Sequence, residues 1–62
     1  MKAQRMKAAR MIKGLTQLDL AQRVGCSEAL ISKIETGRTS PDRELKERIA
    51  CILEIEKWEV GI

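Results

Sequence analysis

Few residues of this chain could carry out covalent or metal chemistry. Cys26 and Cys51 lie 25 positions apart and there is no histidine, so a four-ligand zinc site of the finger or ribbon type cannot be assembled. The commonest general base is missing with histidine, and no Ser, Cys or Lys stands beside an obvious activator. The chain is therefore not expected to be an enzyme, to hold a metal or to need a cofactor. Both thiols read as free structural cysteines of a reducing compartment. What remains is the placement of charge. Residues 1–38 hold eight cations against three anions, a balance of +5, whereas residues 39–62 hold four against six, a balance of −2. A basic front and an acidic rear fit a domain that turns one face to a polyanion.

The elements that position these charges are short helices. With 62 residues, 44% hydrophobic and 34% charged, the chain has room for one domain, 1–62, near the lower size limit for independent folding. No apolar run is long enough for a membrane span or a signal sequence, so a cytoplasmic, nucleoid-associated location is expected. Nothing alternates as a strand would, Tyr and Phe are absent, and Ala, Leu, Lys, Arg and Glu abound, which reads as all-α. A first helix is expected over Lys2–Lys13, with Met6, Ala9 and Ile12 along its inner face, Met1 and Met11 at the core or its edge, and Gly14 as its stop. Thr16 and Asp19 form a T-x-x-D start for a second helix ending at Gly25. Ser27 caps a third, to about Thr36, and Asp42 after Pro41 caps a fourth with Leu45, Ile49, Ile52 and Leu53 along one face. Glu54-Ile55-Glu56 should break it, leaving Lys57 to Val60 as a last turn or fifth helix.

Only Gly25, Cys26 and Ser27 separate the second and third helices, so the two must turn sharply. Ala21 is small where they cross, and Ile31 and Ile34 face the core. Glu28, Ala29, Ser32 and Lys33, at i, i+1, i+4 and i+5, then form one outward stripe. At these residues, GLTQLDLAQRVGCSEALISKIETGR resembles the helix-turn-helix domains of the Cro and phage repressor (XRE) family. Arg10, Gly14-Leu15-Thr16-Gln17, Leu20-Ala21, Gly25, Ile31-Ser32-Lys33-Ile34-Glu35 and Gly37 carry the likeness. It implies a compact four- to five-helix, lambda-repressor-like fold with a central helix-turn-helix, and a DNA-binding transcriptional regulator, repression being the expected mode.

Carried over residue by residue, the resemblance implies that Glu28, Ala29, Ser32 and Lys33 face bases of double-stranded DNA in the major groove. Thr16 and Gln17 at the start of helix 2, and Arg38, Thr39 and Ser40 after helix 3, would hold phosphates. Arg43 would reach the backbone or the minor groove, and Arg10 and Glu35 would form a structural ion pair. Two residues depart from the family pattern: Glu28 replaces a neutral or basic residue, and Glu54 replaces the glycine common after helix 4. Binding as a homodimer on a palindromic operator is expected, with Ile52, Ile55, Trp58, Val60 and Ile62 exceeding what one short helix can bury in its own domain. The single aromatic leaves no stacking platform for single strands or RNA. Rival readings are an antitoxin of the same fold, a protein-interaction module that no longer binds DNA, and a basic membrane binder built on helix 1. Caps at every helix boundary argue against the last.

Overall fold

The computed structural model describes residues 4–60, which form four α-helices and one 3₁₀ turn: α1 (Gln4–Ile12), α2 (Gln17–Val24), α3 (Glu28–Glu35), α4 (Arg43–Leu53) and the turn Lys57–Glu59. No helix among them is long and apolar enough to cross a membrane. The boundaries are set by local hydrogen bonds. At α2 the Asp19 N–H donates to Thr16 Oγ1 (2.9 Å) and the Thr16 N–H donates to Asp19 Oδ2 (3.0 Å), closing a capping box. The Thr16 amide and hydroxyl hold the Asp19 carboxyl below its ordinary range. The cap's contribution is thus present above the unfolded carboxylate value and is lost as pH falls through the lower folded one. Ser27 Oγ accepts from the Leu30 N–H (3.1 Å) to start α3, and Asp42 Oδ1 accepts from the Leu45 N–H (2.8 Å) to start α4.

The core is drawn from every helix. Met6, Leu20, Ala21, Ile31, Ile34 and Ile49 are fully buried, and Val24, Ala50, Leu53 and Val60 nearly so. The most extensive packing between helices is α2 on α3, followed by α2 on α4. Gly25 makes this possible, taking a left-handed conformation (φ 80°, ψ 35°) while its N–H donates to the Ala21 carbonyl at 2.8 Å. A side chain there would carry the steric penalty of that region.

Helix α1 departs from the expected inner face. Met6 and Arg10 are buried and Ala9 half-buried, whereas Met11 is 61% and Ile12 85% exposed. Arg10 decides the rotation, because its charge must reach a buried partner. Ile12 lies two steps of about 100° beyond Arg10, nearly on the opposite side of the helix from it. Met1 and Ile62 lie outside the described residues.

The C-terminal segment also departs. Val60, expected on an intermolecular surface, is 3% exposed within its own chain, and Ile52 and Ile55 pack half-buried against the core. The Lys57–Glu59 turn folds the tail back toward α4, so this domain covers more apolar surface than a single short helix would. Trp58 remains 58% exposed, with the Arg5 guanidinium 5.4 Å from its ring centroid and Arg5 Nη1 3.2 Å from Glu59 Oε1.

Helix α4 ends at Glu54, which has φ 58° and ψ 44° and is the one non-glycine residue with positive φ among those described. Its carboxylate meets Lys13 Nζ at 2.7 Å, and that hydrogen bond and charge hold the carboxyl below its ordinary range. The pair is exposed and offsets the steric cost of the left-handed backbone only weakly. Glu54→Gly is expected to raise the melting temperature by about 2–4 °C. A lowered value in a thermal melt would mean that the Lys13 pair outweighs the backbone strain.

Candidate nucleic-acid interface

Helix α3 turns Ile31 and Ile34 fully into the core, with Leu30 packed against it. Glu28, Ala29 and Lys33 are thereby left exposed and Ser32 half-buried. The Thr36 hydroxyl, also on the outward side, is turned back onto the carbonyls of Ser32 (3.0 Å) and Lys33 (3.2 Å). After α3, the Arg38 N–H donates to the Lys33 carbonyl at 2.9 Å. Arg38 and Ser40 are exposed and Thr39 half-buried on the way to the Asp42 cap.

One residue of α3 breaks the division into apolar inside and polar outside. The Glu35 side chain is 3% exposed and is gripped by Arg10, whose own side chain is 9% exposed. Arg10 Nε lies 2.7 Å from Oε2 and Nη2 lies 3.3 Å from Oε1, while Arg10 Nη1 donates to the Leu15 carbonyl at 2.7 Å. Gln17 Nε2 donates to the same Oε1 at 3.0 Å. A single buried carboxylate thus joins α1, the first residue of α2 and the end of α3. Burial of this pair is tolerable because the ions are matched and hydrogen-bonded, and no buried side-chain polar atom among the described residues lacks a partner.

The resemblance gives Gln17 a phosphate to hold, yet its carboxamide is turned toward Glu35. One amide hydrogen is committed there. The second, with the backbone N–H at the start of α2, remains available to an outside acceptor. Thr16, its neighbour, commits its N–H and an Oγ1 lone pair to the capping box, and its hydroxyl hydrogen remains a donor.

The ion pairs redistribute the basic charge. Arg5, Arg10 and Lys13 of the front half are matched with Glu59, Glu35 and Glu54. In α4, Arg48 meets Glu44 at 2.8 Å, and Arg43 lies 3.8 Å from Glu47 with its side chain 93% exposed. Among the described residues Lys7, Arg23, Lys33, Arg38 and Lys46 take part in no ion pair. On α2, α3 and the loop after α3 the cations outside ion pairs are Arg23, Lys33 and Arg38, set against Asp19 and Glu28 on the same elements, a balance of +1.

Two arginines with structural roles escape a reading of the sequence. Arg48 Nη1 lies 3.4 Å from the Val24 carbonyl and ties α4 to the end of α2, and its only signal is the Glu44–Arg48 spacing of four. Arg5 joins α1 to the C-terminal turn and has no local signal. Cys26 packs against the core, burial pushes its thiol up, and Cys51 is exposed. No group of three or more potential metal-ligating side chains occurs among the described residues.

Residues 3–57 match the family model of the helix-turn-helix domain. No curated protein and no solved structure matches the chain. The match spans all four helices, including the tight α2–Gly25-Cys26-Ser27–α3 unit at their centre, and the chain belongs to the helix-turn-helix domain family.

Proposed function

We propose that this chain is a sequence-specific regulator of transcription, a repressor of the Cro and phage repressor type, that binds double-stranded DNA. It reads the major groove with α3 and the residue that follows it, 28–36. The observation that carries this reading is the outward stripe of α3, where Glu28, Ala29, Ser32 and Lys33 face away from a helix side anchored by Ile31 and Ile34. A helix presented in this way fits the groove and offers donors, acceptors and a methyl group to base edges.

Around that helix, the Thr16 and Gln17 region and the Arg38-Thr39-Ser40 loop hold phosphates, and Arg43 reaches the backbone or the minor groove. These contacts set the register of α3 without reading sequence. Arg10 and Glu35 act one step back, holding α3 against α1 and the start of α2. One α3 spans only a few base pairs, so useful occupancy requires two copies on half-sites about 34 Å apart. With Val60 inside its own core, Trp58 and the half-exposed Ile52 and Ile55 are what the C-terminal face offers to a second copy.

The test is a binding titration on random and selected duplexes across a salt series. Arg38→Ala is expected to weaken binding evenly across sequences and to reduce the slope of log affinity against log salt by about 1. Absence of binding to every duplex at low salt would overturn the proposed function. A loss confined to one sequence class would make Arg38 a base reader instead.

A further inference from the structure

Glu28 and Lys33 are the charged residues of the outward arc of α3, and neither is held in an ion pair among the described residues. Five helical steps place Lys33 about 140° round the axis from Glu28 and about 7.5 Å further along it. Ala29 and Ser32 lie between them, and Thr36 is occupied by its own carbonyl bonds. The two charges therefore stand on opposite flanks of the arc. A helix seated in the major groove turns its flanks toward opposite walls, and 7.5 Å is about two base steps.

We infer that Glu28 selects a cytosine on one strand and Lys33 selects a guanine on the other, two base pairs away. Each half-site then carries two C·G pairs, with both cytosines on the same strand and one pair between them. This rests on the reading of α3 as the groove helix. An ionised carboxylate only accepts hydrogen bonds. Cytosine shows it an amino donor, adenine pairs that donor with an acceptor at N7, and guanine and thymine show acceptors alone. Glu28 thus discriminates by repulsion as well as attraction, and it also repels phosphates on unrelated DNA. The Lys33 ammonium only donates, and guanine supplies two adjacent acceptors in O6 and N7. Between them Ala29 and Ser32 carry no charge, and the middle pair is the least constrained, with thymine favoured through its methyl contact with Ala29.

Selection from a randomised duplex library with the wild type, Glu28→Gln and Lys33→Met tests the assignment. Both side chains are exposed and in no ion pair among the described residues, and matching thermal melts verify that the variants fold. The wild type should enrich the two C·G pairs in the stated register, each preferred by about 10-fold or more. Glu28→Gln should change its cytosine to adenine, which a carboxamide matches with both its groups, leave the Lys33 position unchanged, and raise affinity for unselected DNA. Lys33→Met should erase the guanine preference alone. A wild-type motif whose cytosine survives Glu28→Gln overturns the inference, as does one whose determined pairs are adjacent or have their cytosines on opposite strands. Failure of the wild type to enrich any motif overturns the proposed function itself, so the two failures are distinguishable.

Discussion

Arg10→Met is expected to remove about 3–5 kcal/mol of stability. The substitution deletes both hydrogen bonds to Glu35 and the one to the Leu15 carbonyl. It leaves a carboxylate in a nearly dry site with Gln17 as its remaining side-chain partner. The penalty comes from the stranded charge more than from the lost attraction, so pairing Arg10→Met with Glu35→Met should restore most of the deficit. In a domain of this size each kcal/mol moves the melting temperature by about 4–8 °C, so the single variant should melt at least about 12 °C lower. Below its melting transition it should still bind DNA within a few fold of the wild type. If the melting temperature holds while DNA affinity collapses, Arg10 is a direct DNA ligand and its place behind the interface is wrong.

Ile31→Ala should cost about 2–5 kcal/mol, the range for cutting a fully buried isoleucine down to its Cβ. Against a total of about 3–9 kcal/mol for a domain of this length, that is a large share. Ile31 also sets which side of α3 faces outward, and the cavity beneath it loosens the helix that carries Glu28 and Lys33. Ile12→Ala is the matched control. The same side chain is deleted, but Ile12 is 85% exposed, and the change should stay within about 0.5 kcal/mol. Urea unfolding of both variants decides the matter. Equal losses at the two positions would mean that α1 is rotated from the orientation described, with Ile12 rather than Arg10 turned inward.

Helix boundaries are legible in the sequence because they depend on residues three or four apart. Thr16 with Asp19, Ser27 with the Leu30 amide and Asp42 with the Leu45 amide are contacts that the chain makes with its own next turn. The burial of Ile31, Ile34 and Ile49 follows from helical spacing in the same way. The outward stripe of α3 needs only that spacing and the knowledge of which side is apolar. The Arg10–Glu35 pairing comes from family resemblance, since nothing in local periodicity joins residues 25 positions apart.

Other features depend on where distant elements meet. Hydropathy alone would turn Ile12 inward and Arg10 outward, and the reverse is found because a matched buried ion pair with α3 offsets the cost of turning an arginine inward. The commitment of one Gln17 hydrogen to Glu35 and the Arg48 contact with the Val24 carbonyl follow from the packing of α2 against its neighbours. Arg5 over Trp58 and the burial of Val60 follow from the return of the C-terminal turn. Composition and short-range pattern thus determined the helices, their caps and the basic character of the front half. Only the tertiary structure decided that Arg5, Arg10 and Lys13 are held by Glu59, Glu35 and Glu54, because an ion pair across the fold depends on three-dimensional distance and has no period in the chain.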